Sequence, residues 1–325
     1  MRAAFYEATG PAREVLRVAE LPDPVPGAGE VRVRLQWSGV NPSDVKSRAG
    51  LRSKVLAFPR IVPHSDGMGV VDAVGAGVDA ARIGQRVWVW NGAWGRAFGT
   101  AAELITLPAA QAVPLPDNID AAAAACFGIP ALTALHAVTT AGGVSGQSVL
   151  VAGGAGAVGH YAIQFARLHG AGQIITTVSS EAKAAHARAA GADVCIDYKR
   201  ENVAERVREL TGGPGVDRVI EVDMAANGAL DPELLKPEGL CVVYGSGGAM
   251  TLPFFPYIAK NLRLHFFIVY NLNAADRELA LAEMANAQGA LTHAVALRLP
   301  LERIAQAHEA VEQGSVLGNV VVSLG

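Results

Sequence analysis

Gly154, Gly156 and Gly159 stand in the order G-x-G-x-x-G, with Ala155, Ala157 and Val158 between them. Glycines so spaced supply a tight turn, a surface bare enough for a diphosphate to approach, and close packing of a helix on a strand. The diphosphate would then rest on the positive end of the helix. The alternative reading is an ordinary turn between a strand and a helix. About twenty residues further on, Ser179, Ser180 and Lys183 offer two hydroxyls and a cation.

These residues need elements to place them. Ser148-Val149-Leu150-Val151 is a β-favouring run, and Val158, Ala162, Phe165 and Ala166 recur at helical spacing after the turn. A second β-like run, Ile174 to Val178, begins 26 residues after Ser148, the length of one β-α-β unit. Between Ala121 and Ala166 there is no Lys, Arg, Asp or Glu, so no carboxylate there opposes bound phosphates. At the end of the second run an NAD-specific fold carries an acid for the ribose 2′-hydroxyl, and here the residues are Val178-Ser179-Ser180. Hydroxyls and Lys183 suit a 2′-phosphate, so NADPH is the expected cofactor. Against this, Ser180 could simply cap the next helix, Lys183 could be a solvated surface residue, and Glu181 is an acid close by.

Of the 325 residues 51% are hydrophobic and 18% charged, a composition of well-buried domains, and the length suits two of them. A net charge of −3 without basic runs argues against nucleic acid as the main partner. Cys126, Cys195 and Cys241 are far apart in apolar surroundings and read as free, buried, reduced thiols, the last two inside strands. The first residues show no apolar signal core, and a cytoplasmic location is expected. Ala121 to Val138 is apolar but contains Gly128, Pro130, Thr133 and His136, and is expected to be a buried helix rather than a membrane span.

The first ~120 residues read as short strands set off by Pro and Gly, among them Val31 to Leu35, Val70 to Gly75 and Arg86 to Trp90. From Asp120 strands alternate with helices: Val194 to Asp197, Val203 to Leu210, Val216 to Glu221 and Leu240 to Tyr244. That alternation predicts a parallel sheet covered on both faces. Arg263 to Tyr270 is expected as its last strand, followed by helices near Asp276 to Gln288 and Leu301 to Gln313 and a strand from Asn319 to Ser323.

The chain resembles the quinone oxidoreductase (zeta-crystallin-like) family of the medium-chain dehydrogenase/reductase superfamily. The resemblance is carried by Gly39-Val40-Asn41-Pro42-Ser43-Asp44, Pro63 to Val71, Gly99-Thr100-Ala101-Ala102-Glu103, Ala131-Leu132-Thr133-Ala134, the glycine motif with Gln164, and Gly318-Asn319-Val320-Val321. It implies an α/β protein with a GroES-like β-rich catalytic domain (1–120 and 290–325) and a doubly wound parallel-sheet Rossmann domain (121–289). A cleft at their junction and NADPH as hydride donor follow from the same likeness. By family position Asn41 and Thr133 lie beside the nicotinamide, Tyr198 contacts the adenosine phosphate, and Gly245-Ser246-Gly247, Ile268-Val269-Tyr270 and Asn319 complete the cofactor contacts. Lys46 stands where relatives often carry Tyr. It is expected either to support transition-state charge or to form a surface salt bridge.

Zinc-dependent relatives carry Cys at Asn41, His at Ser65 and a third ligand near Ile129, so no metal is expected. His64, one position from the ligand place, is expected as a hydrogen-bonded histidine at the edge of the cleft. Trp88 and Trp90 share a strand face and read as core, whereas Trp94 and Phe98 could stack on a flat substrate. The expected reaction is hydride transfer from NADPH to quinones or related electron-poor carbonyl compounds. The alternatives are reduction of activated C=C bonds in enones or 2-enoyl thioesters, and a non-catalytic NADPH-binding protein. A homodimer formed by the last strand is also expected, with burial of that strand as its alternative.

Overall fold

The computed structural model describes residues 1–314 and 316–325. The chain forms two compact units, Met1–Pro130 with His293–Gly325, and Ala131–Thr292. The first segment supplies β1 (Arg2–Phe5), β2 (Arg17–Glu20), β3 (Glu30–Val40), β4 (Asp66–Val74), β5 (Arg86–Val89), β6 (Leu104–Pro108) and β7 (Ala112–Pro114). The second unit holds β8 (Ser148–Val151), β9 (Gln173–Val178), β10 (Val194–Asp197), β11 (Val216–Glu221), β12 (Leu235–Val243) and β13 (Arg263–Phe266). The chain then re-enters the first unit with β14 (Val295–Pro300) and β15 (Asn319–Ser323).

In the first unit the order is β14-β15-β3-β4-β5-β7, with β6 also paired to β3. Alternation along β3 explains its place at the centre. Val31, Val33 and Leu35 point into the core with valines of β4, β5 and β15, while Arg32 and Arg34 point out and pair with Asp72 of β4 at 2.8 and 3.0 Å. Apolar burial at a period of two thus fixes the register. The helix Ile304–Gln313 closes this core through Ile304 and Ala307.

In the second unit β10-β9-β8-β11-β12-β13 run parallel, the strand order 3-2-1-4-5-6 of a doubly wound Rossmann sheet. Leu150, Ile175, Ile196, Val219 and Cys241 from five of these strands share one core with the helix Val203–Thr211. Apolar strands covered by helices on both faces are what a parallel sheet requires.

Several expectations are corrected. Ala121 to Val138 is not one helix: Ala121–Ala124 is followed by a π-helical turn, Phe127–Ala131, and then by the helix Leu132–Thr139. Pro130 inside that turn lacks an N–H and cannot continue a regular α-helix. The last parallel strand stops at Phe266, and Val269–Asn271 is a 3-10 turn. Cys126 and Cys241 are buried, but Cys195 is only half-buried. Trp88 is core, edge-on to Phe127, whereas Trp90 lies just past the end of β5 and is half-buried. No helix among the described residues is long and apolar enough to cross a membrane.

Candidate active site

In the second unit the expected cofactor residues gather along the C-terminal ends of the parallel strands, the edge where doubly wound sheets bind ligands. After β8 the chain turns at Gly153, whose φ of 68° is in the left-handed region. The amides of Gly153 and Gly154 donate to the hydroxyls of Thr177 and Thr176 on β9, both at 3.0 Å. A Cβ on Gly154 would collide with Thr176 Oγ1, and one on Gly159 with the carbonyl of Gly153. These two glycines let loop, strand and helix close on one another. Gly156 differs, since a Cβ there would meet only the Gly153 carbonyl, at 3.3 Å. It is exposed and caps the helix Ala157–Leu168, with Ala157 and Val158 half-exposed beside it and Ala155 buried behind. The first-turn amides have no intrahelical acceptor, so this corner attracts an anion.

Ser179 and Lys183 meet at the end of β9, with Lys183 Nζ donating to Ser179 Oγ at 3.0 Å. Ser180 is the N-cap of the helix Glu181–Ala189, accepting from the Lys183 amide. The carboxylate of Glu181 accepts from Arg188 at 2.7 Å, which holds its pKa below the usual range. Tyr198, exposed, follows β10 and is tied to the end of β9 by its amide, 3.1 Å from the Val178 carbonyl. Gly245, Ser246 and Gly247 follow β12, where the Gly247 amide donates to Asp223 Oδ1 at 2.6 Å. Ile268 is half-exposed, Val269 and Tyr270 are buried, and Arg277 holds the Val269 carbonyl. Thr133 is buried in the first turn of Leu132–Thr139.

In the first unit Asn41 follows β3 and caps the helix Pro42–Arg48, with Pro42 at the first helical position. Asn41 is 3% exposed. Its backbone amide donates to Asp44 Oδ2 at 2.8 Å, and its Nδ2 to Asp66 Oδ2 at 3.1 Å. Burial pushes Asp44 up to about 7 and raises Asp66 as well. Val320 pairs with Val40, the residues that follow Asn319 and precede Asn41 in the chain. Asn319 itself is fixed to the Ala294 carbonyl at 2.7 Å by its amide. Lys46 is half-buried on the same helix. Trp94 and Phe98, 40% and 47% exposed, lie on the 91–98 segment.

His64 is not at an edge. It is 0% exposed, with Nδ1 2.9 Å from Ser38 Oγ and Nε2 2.9 Å from His308 Nε2. Among the described residues no three His, Cys, Asp or Glu side chains gather as a metal site.

Residue patterns gave no role to Asp66, Asp44, Thr176 or Thr177. Asp66 lies within the quoted stretch Pro63 to Val71, and an acid between Ser65 and Gly67 at the head of an apolar, glycine-rich run is the available signal. Nothing local marks the hydroxyls of β9.

The Alcohol dehydrogenase GroES-like domain model matches residues 27–117 and the Zinc-binding dehydrogenase model residues 157–287. Human quinone oxidoreductase is 30% identical over 97% of this chain and 95% of its own. A 2-haloacrylate reductase from Burkholderia is 30% identical over 99% and 98%. Among solved structures, an NAD-dependent alcohol dehydrogenase superposes with a TM-score of 0.90 at 33% identity, covering both chains fully. A mycobacterial protein complexed with NADPH superposes at 0.88 and 32% identity, over 99% of this chain and 100% of that one. With its GroES-like and Rossmann units and likeness over the full length, this chain is an oxidoreductase belonging to the quinone oxidoreductase family of the medium-chain dehydrogenase/reductase superfamily.

Proposed function

We propose that the protein takes hydride from NADPH and passes it, without zinc, to quinones or related electron-poor carbonyl compounds. The observation that carries the reading is the end of β9, where Lys183 is drawn to Ser179 while Arg188 engages the nearby Glu181. A 2′-phosphate meets donors there rather than a free carboxylate. The two structural neighbours divide between NAD and NADPH, and this corner favours the phosphate-bearing form.

The residues fit the dinucleotide. Gly154, Gly156 and Gly159 with the first-turn amides would hold the diphosphate, and Ser179, Ser180, Lys183 and Tyr198 the adenosine phosphate. Gly245-Ser246-Gly247, Ile268-Val269-Tyr270, Thr133, Asn41 and Asn319 would hold the nicotinamide half, with Lys46 supporting charge on the substrate oxygen. NADPH supplies the hydride when bound. The chain's own work is to orient both partners and exclude water, and a quinone spreads its developing charge over two oxygens so that no strong protein acid is required. Against zinc, Asn41 gives its amide nitrogen to Asp66, Ile129 has no donor atom in its side chain, and both nitrogens of His64 are engaged inside the fold.

Stopped-flow oxidation of NADPH and NADH by metal-free enzyme, with quinones, enones and 2-enoyl thioesters, tests this. Fast quinone-dependent loss of NADPH, with NADH much slower, is expected. Turnover of alkenes alone would replace the acceptor with an activated C=C bond, a reading that the 2-haloacrylate relative supports. NADPH binding without any turnover would end the catalytic reading.

The outer edge of β13 supports a homodimer. Beside it the helix Phe254–Ala259 carries Phe254 and Phe255, 75% and 72% exposed, and Phe266 on the strand is also exposed. An open strand edge flanked by apolar side chains suits a second copy. Light scattering should give twice the chain mass and half of that for F254D/F255D; a monomeric wild type would refute it.

A further inference from the structure

We propose that Asp66 is the positioning residue for Asn41, fixing its side-chain amide in one orientation at the end of β3. The inference rests on the reading above that places Asn41 beside the nicotinamide. Asp66 opens β4 and pairs with Gly39, two residues before Asn41, so the sheet itself brings the two side chains together. Asp66 Oδ2 accepts from Asn41 Nδ2 and from the Ile129 amide, both at 3.1 Å. Asp66 Oδ1 is buried without a hydrogen-bond partner, facing the backbone of Gly128, where a Cβ would come within 3.3 Å of it.

Both donors thus converge on one carboxyl oxygen. Burial and the nearby Asp44 charge both favour the protonated form. With Asp66 accepting from the Asn41 Nδ2 and the Asp44 backbone amide facing the same side chain as in a capping box, a half-turn of the amide would set its NH2 against that N–H. Asn41 therefore has one orientation. No cation pairs with Asp66 among the described residues, and a buried acid of this kind costs the fold rather than supporting it. Its retained task is directional: hydride transfer depends on alignment, and a misplacement of about 1 Å is worth about 100-fold in rate.

The test is a double-mutant cycle on single-turnover hydride transfer, run after the wild type has been shown to oxidise NADPH. Asp66→Ala should slow the step by about 10- to 100-fold while the NADPH Kd stays within about 3-fold. Asp66→Asn, which keeps a carbonyl for both donors, should recover most of the loss. D66A/N41A should be no slower than N41A, because Asp66 acts through Asn41. Losses that multiply, or an Asp66→Ala enzyme as fast as wild type, overturn the proposal. If the wild type oxidises no NADPH, the functional reading falls separately, and the orientation is read by ¹⁵N NMR of the Asn41 side-chain amide. Its protons should exchange slowly in wild type and D66N and fast in D66A; equal exchange refutes the proposal. Melting curves check folding, and Asp66→Ser replaces Asp66→Ala if the latter does not fold.

Discussion

The strand edge of the second unit and the polar interior of the first prepare ligand groups by opposite means. Along the edge, backbone does the work: Gly154 and Gly159 bring loop and helix against β9, and the amides left over point outward. In the interior, side chains do it: Ser38, His64, Thr100 and His308 form a chain of contacts from 2.7 to 2.9 Å, next to the acids that hold Asn41. The first device depends on space that only glycine leaves, and the second on protons being in the right place. They should therefore fail under different perturbations.

The largest effect is expected at the edge. Gly159→Val would drive a side chain into the Gly153 carbonyl, which sits in a left-handed turn and has nowhere to move. Overpacking of this kind costs about 1–3 kcal/mol, and the displaced loop should weaken NADPH binding by about 100-fold or more. Gly156→Ala sharpens the point, because its Cβ would press on the Gly153 carbonyl at 3.3 Å, a tight contact that a shift of a few tenths of an ångström relieves, where a Cβ on Gly159 collides outright. Its melting temperature should stay within about 1 °C of wild type while NADPH affinity, read by fluorescence titration, falls by about 10-fold. Equal melting temperatures for both variants would break the claim that the two glycines have different tasks.

The interior should fail with acid. His64 and His308 share a single N–H between their Nε2 atoms, so the pair is neutral in the native state, and burial takes His64 down to about 3 and His308 well below its ordinary value. The unfolded chain binds protons from about pH 6.5 downward and the native pair does not. Stability is thus complete above about pH 6.5 and is lost toward pH 3, at up to about 1.4 kcal/mol per pH unit for each histidine. In His308→Gln one of the two contributions disappears. Urea denaturation between neutral pH and about pH 4 should show a slope shallower by that amount. Histidines elsewhere titrate alike in both proteins, so an unchanged slope would mean that the pair does not resist protonation.

How much could be read beforehand follows the same division. The glycine loop, the alternation of Val31, Val33 and Leu35, and the parallel strands are local patterns, and local backbone rules suffice to read them. The contact of His64 with His308 spans 244 residues, and Asp66 reaches Asn41 only because β3 and β4 pair in one register. No spacing rule encodes such meetings. The break at Pro130 is a different case: its lack of an N–H was visible, but the apolar run from Ala121 outweighed it in the reading. The end of β13 at Phe266 was hidden because Phe267, Ile268 and Val269 remain as β-favouring as the strand itself.

The smallest effect sharpens the comparison most, because it concerns the one part of the edge where a side chain should matter. The amides of the glycine loop are proposed to meet the diphosphate common to NADH and NADPH, which would leave them unable to tell the two apart. Lys183 and Ser179, joined at 3.0 Å, are the residues proposed to meet the group by which the two cofactors differ. A charge-assisted contact at a half-exposed site is worth about 1.4 kcal/mol, hence about 10-fold in affinity. Lys183→Ala should raise the NADPH Kd by that factor, leave NADH within about 2-fold, and make the difference shrink with added salt. Parallel losses for both cofactors would place Lys183 among the general supports of the loop and return the choice of cofactor to the backbone.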